Sequence, residues 1–199
     1  MSACLSRIAK AFLDRNSRYI NCPAVTVSWL RHRIPIIPYH SAMSRNLCIT
    51  AVDGQTGYLI AELLLTSGQF SNKIDTITGL SLDPQSPKCK ALSKLGVDII
   101  HHVPGTEKKM VDILKKSNAD TICIIPPTHP DKYQITLELI AATKRAGVQN
   151  VCLLSSAGAD LANAKKQSRL REFIEIENLV LSTKGDPSTV TGHSPVIIR

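Results

Sequence analysis

The sequence predicts an α/β fold built on a doubly wound parallel sheet of about six strands in the order 3-2-1-4-5-6. Three observations favour this fold class. Short apolar runs alternate with segments of helical periodicity from residue 47 to residue 198. The connections between them are only a few residues long, so successive strands need helical crossovers and run parallel. A glycine-containing turn, residues 51–57, follows the first apolar run directly, which favours a central position for the first strand.

The first three predicted strands are short runs rich in branched apolar residues, at 47–50, 74–80 and 97–100. The helix after the first strand starts near Tyr58 and has apolar residues at helical spacing. A second helix is predicted over 84–95, because Gly96 is a typical helix stop. A third is predicted over 107–117, where Thr106 offers a capping hydroxyl.

The second half of the chain continues the alternation, with predicted strands at 120–125, 151–155 and 195–198. Long helices are predicted over 130–146, which Gly147 follows, and over 167–182. Each helix has an apolar face that we expect to point inward. These faces comprise Ile135, Leu139, Ala142 and Ala146 on the first helix, and Leu170, Phe173, Ile176 and Val180 on the second.

The positive charge of the chain is concentrated in residues 1–45. The 199 residues carry a formal net charge of +8, of which seven Lys/Arg and one acid in this leader contribute +6. The remaining +2 does not indicate nucleic-acid binding. The leader is rich in serine and arginine, as mitochondrial presequences are. The alternatives are an unstructured extension without a targeting function, and a protein whose translation starts at Met43. We therefore predict a leader at 1–45, outside the fold, and one folded domain at 46–199.

The six cysteines are scattered, and no two are spaced as C-x-x-C. Cys48, Cys123 and Cys152 lie within apolar runs and are predicted to be buried as small hydrophobic residues. This pattern suits a reducing compartment and argues against both a zinc site and a disulfide framework, so no metal ligands are predicted. No uncharged apolar run reaches the roughly 18 residues that a membrane helix requires.

The turn after the first strand is the candidate binding site. A strand, a glycine turn and a helix together cradle a dinucleotide pyrophosphate, because backbone N–H groups approach the phosphates at the positive end of the helix. The alternative interpretation is an ordinary strand-to-helix connection. The predicted cofactor-binding residues lie in this turn and at the ends of the fourth and fifth strands: Ala51, Asp53, Gly54, Gln55, Thr56, Gly57, Pro126, Pro127 and Ser155.

Several segments in a consistent order carry a resemblance to a known family. They are residues 50–57 (TAVDGQTG), 83–84 (DP), 88–92 (KCKAL), 95–97 (LGV), 141–148 (AATKRAGV), 154–156 (LSS), 176–177 (IE) and 197–199 (IIR). In these segments the chain resembles the NmrA-like branch of the atypical short-chain dehydrogenase/reductases. The resemblance implies a Rossmann domain that binds NAD or NADP, followed by a smaller substrate domain. It also implies one of two functions, that of a reductase or that of a redox-sensing regulator that binds the dinucleotide without turning it over.

The sequence departs from the family pattern at four places. Ala51 replaces the first glycine of the motif, and Asp53 replaces a threonine. Leu82 stands where the family has the arginine that reads the 2′-phosphate of NADP. We therefore expect affinities for NAD and NADP within about tenfold of each other, unless Lys88 or Lys90 reaches the phosphate. The chain ends at the sixth predicted strand, so we expect the substrate domain to be absent and the edge of that strand to be exposed.

The catalytic groups of a reductase are missing from the pattern. None of the four tyrosines has a lysine four residues later, and Phe173 occupies the place of the family's lysine. His129 and Ser155 could donate a weak hydrogen bond near a nicotinamide, although a capping role is the simpler interpretation of each. His101 and His102 end the third strand, where a structural role is again the simpler interpretation. No catalytic residue is predicted.

These observations favour a non-catalytic NAD(P)-binding protein that acts as a redox sensor or regulator. The alternative is an NAD(P)H-dependent oxidoreductase of the quinone, isoflavone or alkaloid reductase type that is truncated in this chain, and a third is a gene fragment without a function of its own. A protein partner or a second copy is expected at the exposed C-terminal edge, whereas nucleic acid and membrane are not. The expected location is cytoplasmic, or mitochondrial if the leader is a presequence.

Overall fold

The computed structural model describes residues 45–163, 165–183 and 195–199. These residues form a single sheet with the strands β1 (Arg45–Ile49), β2 (Ile74–Ser81), β3 (Asp98–His101), β4 (Thr121–Ile124), β5 (Asn150–Leu154) and β6 (Val196–Ile198). The strand order is β3-β2-β1-β4-β5-β6, and every neighbouring pair is parallel. The predicted fold class and strand order are therefore confirmed.

Helices cover both faces of the sheet: α1 (Gln55–Thr66), α2 (Pro87–Lys94), α3 (Glu107–Lys116), α4 (Lys132–Ala146) and α5 (Ser168–Ser182). One core lies under α1 and α2, where Leu64 and Leu92 are fully buried. The other lies under the remaining three helices, where Met110, Leu139 and Ile176 are fully buried. Because both faces are covered, the central strands are apolar on both sides rather than alternating.

The first strand starts two residues earlier than the sequence predicts. Arg45, counted with the basic leader, lies in β1 and is buried, and its Nη1 donates to Asp120 Oδ1 at 3.1 Å. The other carboxylate oxygen of Asp120 accepts from the N–H of Asn46 at 3.0 Å. A carboxylate next to β4 thus anchors the start of β1. The rest of the predicted leader, residues 1–44, lies outside the described residues.

Two predicted details are wrong. Thr106 precedes α3, but its hydroxyl donates to the carbonyl of Val103 at 2.6 Å and does not cap the helix. Phe173 is half-buried rather than part of the core. The ammonium of Lys132 lies over its ring, 4.5 Å from the centroid. Leu170 is likewise half-buried, since it lies in the first turn of α5.

The cysteines of the sheet are buried, as predicted. Cys48, Cys123 and Cys152 have at most 4% of their surface exposed. Burial raises the pKa of Cys48 to about 12 and the pKa of Cys123 well above its ordinary value, so both thiols stay protonated and unreactive at neutral pH. Within the described ranges, no group of three His, Cys, Asp or Glu side chains is placed to hold a metal ion. In the same ranges, no helix is long and apolar enough to cross a bilayer.

A buried carboxylate holds strand β6 at the edge of the sheet. Glu177 of α5 is 4% exposed and accepts from Arg199, Nε to Oε1 at 2.9 Å and Nη2 to Oε2 at 2.5 Å. The hydroxyl of Ser155 donates to Oε1 of the same carboxylate at 2.5 Å. Arg199 Nη1 also lies 3.3 Å from Asp160 Oδ2. The network joins the end of β5, the middle of α5 and the residue that follows β6, a strand whose own residues are only half-buried.

This network should make stability fall in acid. Hydrogen bonds from Arg199 hold the pKa of Glu177 below its ordinary value of 4.5. A carboxyl group whose pKa is lowered in the folded state stabilises the fold fully above its ordinary pKa, and that stabilisation is lost as the pH falls through the lowered value. We therefore expect Glu177→Gln to lower the melting temperature by several degrees at neutral pH. We also expect it to flatten the decline in stability below about pH 4.5.

Thermal unfolding followed by circular dichroism, from about pH 3 to about pH 7, measures both effects. Glu175→Gln is the control, because Glu175 is an exposed carboxylate of the same helix. If the melting temperature falls equally with decreasing pH in the wild type and in Glu177→Gln, Glu177 is not the cause of the acid sensitivity.

Candidate functional site

The turn that follows β1 is tied to both neighbouring strands. Thr50 Oγ1 accepts from the N–H of Ile125 at 2.8 Å and donates to the carbonyl of the same residue at 3.1 Å. The N–H of Val52 donates to the carbonyl of Leu80 at 3.2 Å. These bonds hold the turn between the carboxyl ends of β2 and β4. The strand order reverses between β1 and β4, and open α/β sheets bind ligands at that point.

Three positions give the turn its shape. Ala51 has a φ of 51°, in the left-handed region that glycine adopts freely and alanine rarely. Gly57 lets α1 begin directly against the turn, because a Cβ there would lie 2.4 Å from the carbonyl oxygen of Ala51. A Cβ on Gly54 would lie 3.1 Å from the same oxygen, which is a tight contact. The two glycines therefore permit a close approach of backbone to backbone, and Ala51 is strained.

The start of α1 presents free N–H groups above the turn. The first hydrogen bond of the helix runs from the N–H of Tyr58 to the carbonyl of Gly54 at 3.1 Å, so the N–H groups of Gln55, Thr56 and Gly57 have no acceptor within the helix. No side chain of the described residues caps this end, and the first turn contains no acid. Free N–H groups at the positive end of a helix favour a bound anion such as a phosphate.

A narrow cavity of about 10 Å³ lies at the same edge of the sheet, with room for about one water molecule. Its lining joins the turn to the ends of β2, β3 and β4 and to one face of α4: Thr50, Ala51, Leu80, Leu82, His102, Ile125, Pro127, Ile135 and Leu139. Ala51 and Pro127, both predicted site residues, therefore meet in one place. The lining is apolar apart from one hydroxyl and one imidazole.

Two buried polar atoms at this edge, Asp53 Oδ1 and His102 Nε2, have no hydrogen-bond partner among the described residues. The backbone of His102 extends β3, since its N–H donates to the carbonyl of Ser81 at 2.8 Å. Burial lowers the pKa of His102, and the negative charges of Glu138 and Asp53 oppose that shift. The imidazole is therefore neutral at pH 7. Sequence reasoning assigned His102 a structural role and missed its unpaired nitrogen.

Two other predicted site residues, Pro126 after β4 and Ser155 after β5, do not line the cavity. Pro126 is half-buried next to Pro127. Ser155 follows β5, and its N–H donates to the carbonyl of Ile198 at 2.8 Å. Its hydroxyl is bound to Glu177 in the network that holds β6. Ser155 is therefore at the predicted edge of the sheet, but its side chain already has a charged partner.

Lys132 is a buried cation that sequence reasoning did not single out. It is the first residue of α4 and is 8% exposed. Its ammonium donates to the carbonyl of Arg169 and lies 3.4 Å from Glu172 Oε2, besides covering the ring of Phe173. An ammonium group from α4 thus lies over an aromatic ring of α5. No local pattern could indicate this, because a lysine in a first turn is usually exposed.

His129 lies in the loop between β4 and α4. Its side chain is 42% exposed, and its Nδ1 accepts from the N–H of Asp131 at 3.1 Å. In the neutral imidazole the proton is therefore on Nε2. The loop after β4 thus carries one nitrogen that can donate a hydrogen bond.

Solved structures share this fold, although no family model and no curated protein sequence matches the chain. The NADPH-dependent quinone oxidoreductase of Escherichia coli, solved with NADPH, is 23% identical over 69% of this chain and 45% of its own, with a TM-score of 0.55. The triphenylmethane reductase of Citrobacter sp., solved with NADP(H), is 18% identical over 69% and 45%, with a TM-score of 0.54. The enzyme WbmH of Bordetella bronchiseptica, solved with NAD⁺, is 16% identical over 71% and 53%, with a TM-score of 0.52.

These similarities define a class, the doubly wound α/β proteins of the Rossmann type. At such identities the likeness shows the fold alone. This chain spans about half the length of the three proteins or less, so their activities are properties of longer chains.

Relieving the strain at Ala51 should stabilise the protein. We expect Ala51→Gly to raise the free energy of unfolding by about 1 kcal/mol, because glycine adopts the left-handed region without a steric cost. Gly57→Ala should lower it by about 1–3 kcal/mol, since backbone atoms obstruct the new methyl group. Gly68→Ala is the control, because nothing lies within 4 Å of a Cβ at that position. Urea denaturation measures all three, and a destabilised Ala51→Gly would refute the assignment of strain.

Proposed function

We propose that residues 46–199 form a domain that binds NAD or NADP. One observation carries the proposal: the free N-terminus of α1 stands above a turn whose glycines permit close approach, at the point where the strand order reverses. The pyrophosphate would lie over residues 54–57 and accept hydrogen bonds from the N–H groups of Gln55 and Thr56. The resemblance to the NmrA-like family supports this proposal, and so do the dinucleotides held by solved proteins of the same fold.

The carboxyl edge of the sheet has room for one half of the dinucleotide on each side of the turn. The adenosine half would lie on the β2 and β3 side, beside Leu82 and the apolar cavity, and the nicotinamide half on the β4 and β5 side, near Pro126 and Ser155. A bound nicotinamide supplies hydride chemistry. The residues of this chain bind and orient the dinucleotide.

We further propose that the protein acts as a redox sensor or regulator that holds the dinucleotide without turning it over. Two groups that could give a proton on the nicotinamide side, Ser155 and Lys132, already have charged partners. The hydroxyl of Ser155 donates to Glu177, and the ammonium of Lys132 is paired with Glu172. Either group would have to break a charge-assisted hydrogen bond or ion pair to act on a substrate.

An NAD(P)H-dependent oxidoreductase of the quinone, isoflavone or alkaloid reductase type is the second candidate. His129 favours it, because its Nε2 can donate from the loop after β4. Two solved proteins with this fold, a quinone oxidoreductase and a triphenylmethane reductase, are reductases, which also favours this candidate. In this candidate the same site binds the dinucleotide, and His129 orients or protonates the substrate.

We place a protein partner or a second copy of the chain at the edge formed by β6. On α5, the helix whose Glu177 holds that strand, Leu179 is 39% exposed and Leu181 is 46% exposed. Exposed apolar side chains favour association. The proposed location is cytoplasmic, with the mitochondrion as the alternative if residues 1–45 are a presequence.

A side chain at position 54, next to the N-terminus of α1, should weaken dinucleotide binding strongly. We expect Gly54→Val to weaken binding of NAD and NADP by roughly tenfold or more, because its methyl groups occupy the approach to the free N–H groups. Gly68→Val is the matched control, since the same change there meets open space. Isothermal titration calorimetry measures the affinities, and circular dichroism verifies the fold of each variant. Equal binding by Gly54→Val and the wild type would remove the site from this turn.

The purified chain should not oxidise NADH or NADPH above background in the presence of a simple quinone. Hydride transfer requires a substrate held about 3–3.5 Å from the nicotinamide and shielded from water. Two groups that could assist, Ser155 and Lys132, are bound to Glu177 and Glu172. Loss of the nicotinamide absorbance with time measures the rate. Steady oxidation that disappears in His129→Ala would establish the reductase and defeat the sensor proposal.

A further inference from the structure

The loop between β4 and α4 is hydrogen-bonded to other elements at both of its ends. At its start, the backbone of Ile125 is bound to the hydroxyl of Thr50. At its end, the carbonyl oxygen of His129 accepts from the N–H of Lys132 at 3.2 Å and from Nη2 of Arg169 at 2.8 Å. Arg169 is the second residue of α5. Its side chain therefore joins this loop to the start of the next helix.

A second set of contacts joins the same two helices in the opposite direction. Lys132, the first residue of α4, is 8% exposed, and its ammonium donates to the carbonyl of Arg169. The same ammonium lies 3.4 Å from Glu172 Oε2 and 4.5 Å from the centroid of the Phe173 ring. These three contacts come from residues spaced three and four apart, so one face of α5 supplies all of them.

The burial of Lys132 makes these contacts necessary. An ammonium that is removed from water destabilises the fold unless polar or charged partners replace the water. The partners of this ammonium belong to α5, so the starts of α4 and α5 are fixed to each other at the carboxyl edge of the sheet. We call the contacts that Lys132 and Arg169 make between α4, its preceding loop and α5 the α4–α5 clasp.

The loop that the clasp holds is stiff and reaches the candidate site. Pro126, Pro127 and Pro130 fix three of its φ angles. Pro127 lines the cavity beside the turn after β1, and its carbonyl accepts from the N–H of His129 at 2.9 Å. The residue that accepts from Arg169 is therefore bound directly to the residue that borders the cavity.

We propose that Lys132 and Arg169 are positioning residues of the dinucleotide site. They hold the loop after β4 in the place where the nicotinamide half of the ligand lies against it. The inference rests on the proposed dinucleotide site and deepens it by naming the contacts that shape its nicotinamide side. The adenosine half depends instead on the turn after β1 and on the ends of β2 and β3, whereas the contacts of the clasp lie on the β4 and β5 side.

The test compares two ligands that differ at the nicotinamide end. ADP-ribose contains the adenosine, the pyrophosphate and the second ribose of NAD without the nicotinamide. We expect Arg169→Ala to weaken binding of NAD roughly fivefold and binding of ADP-ribose by less than about twofold, because only a nicotinamide requires the released loop to be ordered again. Arg169 is exposed, so the variant should fold. Isothermal titration calorimetry on the full chain measures both affinities.

Two further variants distinguish positioning from a loss of stability. Arg169→Lys keeps one donor that can reach the carbonyl of His129, and it should restore most of the affinity for NAD. Lys132→Met keeps an unbranched apolar side chain but removes the charge, and it should weaken NAD by roughly tenfold while sparing ADP-ribose. The fluorescence of bound NADH reports the surroundings of the nicotinamide, and we expect it to be lower in Arg169→Ala than in the wild type.

Arg145→Ala is the matched control. The side chain of Arg145 is 70% exposed, and its Nη1 lies 3.0 Å from Glu107 Oε1. It belongs to the last turn of α4, about 20 Å along the helix axis from Lys132. This variant removes an exposed arginine with one charged partner, far from the loop. It should leave both affinities and the fluorescence of NADH unchanged.

The outcomes separate this inference from the dinucleotide site on which it rests. If Arg169→Ala weakens NAD and ADP-ribose equally, or changes neither, the positioning role is overturned and the dinucleotide site stands. A lower melting temperature with an unchanged ratio of the two affinities makes the clasp purely structural and has the same consequence. If Lys132→Met does not fold, Arg169→Ala decides the question. Failure of both ligands to bind the folded wild type overturns both proposals.

Discussion

The contact between Gly57 and the carbonyl group of Ala51 is the constraint on which the candidate site depends. A side chain at Gly57 would have to occupy space 2.4 Å from that oxygen, so α1 can start where it does only because position 57 has none. The same geometry requires a left-handed residue at Ala51. The helix therefore begins immediately above β1, and its free N–H groups lie at the edge of the sheet rather than out in solvent.

The turn holds this position because the neighbouring strands bind it. Thr50 is joined to Ile125 by two hydrogen bonds, and Val52 is joined to Leu80 by one. These are contacts between β1 and its two neighbours, so they exist only once the sheet has assembled. The site is consequently a property of three strands and a helix together, although its glycines all come from one short segment.

Polar side chains at the carboxyl edge of the sheet differ between the β5 side and the β3 side in whether they have hydrogen-bond partners within the protein. On the β5 side, Ser155 and Arg199 converge on Glu177, and Lys132 is paired with Glu172. On the β3 side, Asp53 and His102 keep buried atoms without a described partner. Satisfied groups stabilise the fold, whereas unpaired buried groups are costly unless a ligand completes them. On the β5 side these polar side chains therefore stabilise the fold, whereas on the β3 side two buried polar atoms have no partner among the described residues.

The sequence by itself determined the fold class and the strand order, and it predicted the turn of the candidate site. Alternating apolar runs and helical periodicity are local signals, and the short connections between them leave few topologies for a parallel sheet. The tertiary structure decided what depends on residues distant in the chain. It paired Arg45 with Asp120. It also placed Phe173 outside the core, with the ammonium of Lys132 over its ring. It also left Oδ1 of Asp53 buried without a hydrogen-bond partner among the residues that the structure describes. Periodicity identifies the face of a helix or strand on which a residue lies, but the partner of a polar atom comes from another element, so only the assembled fold reveals whether that partner exists.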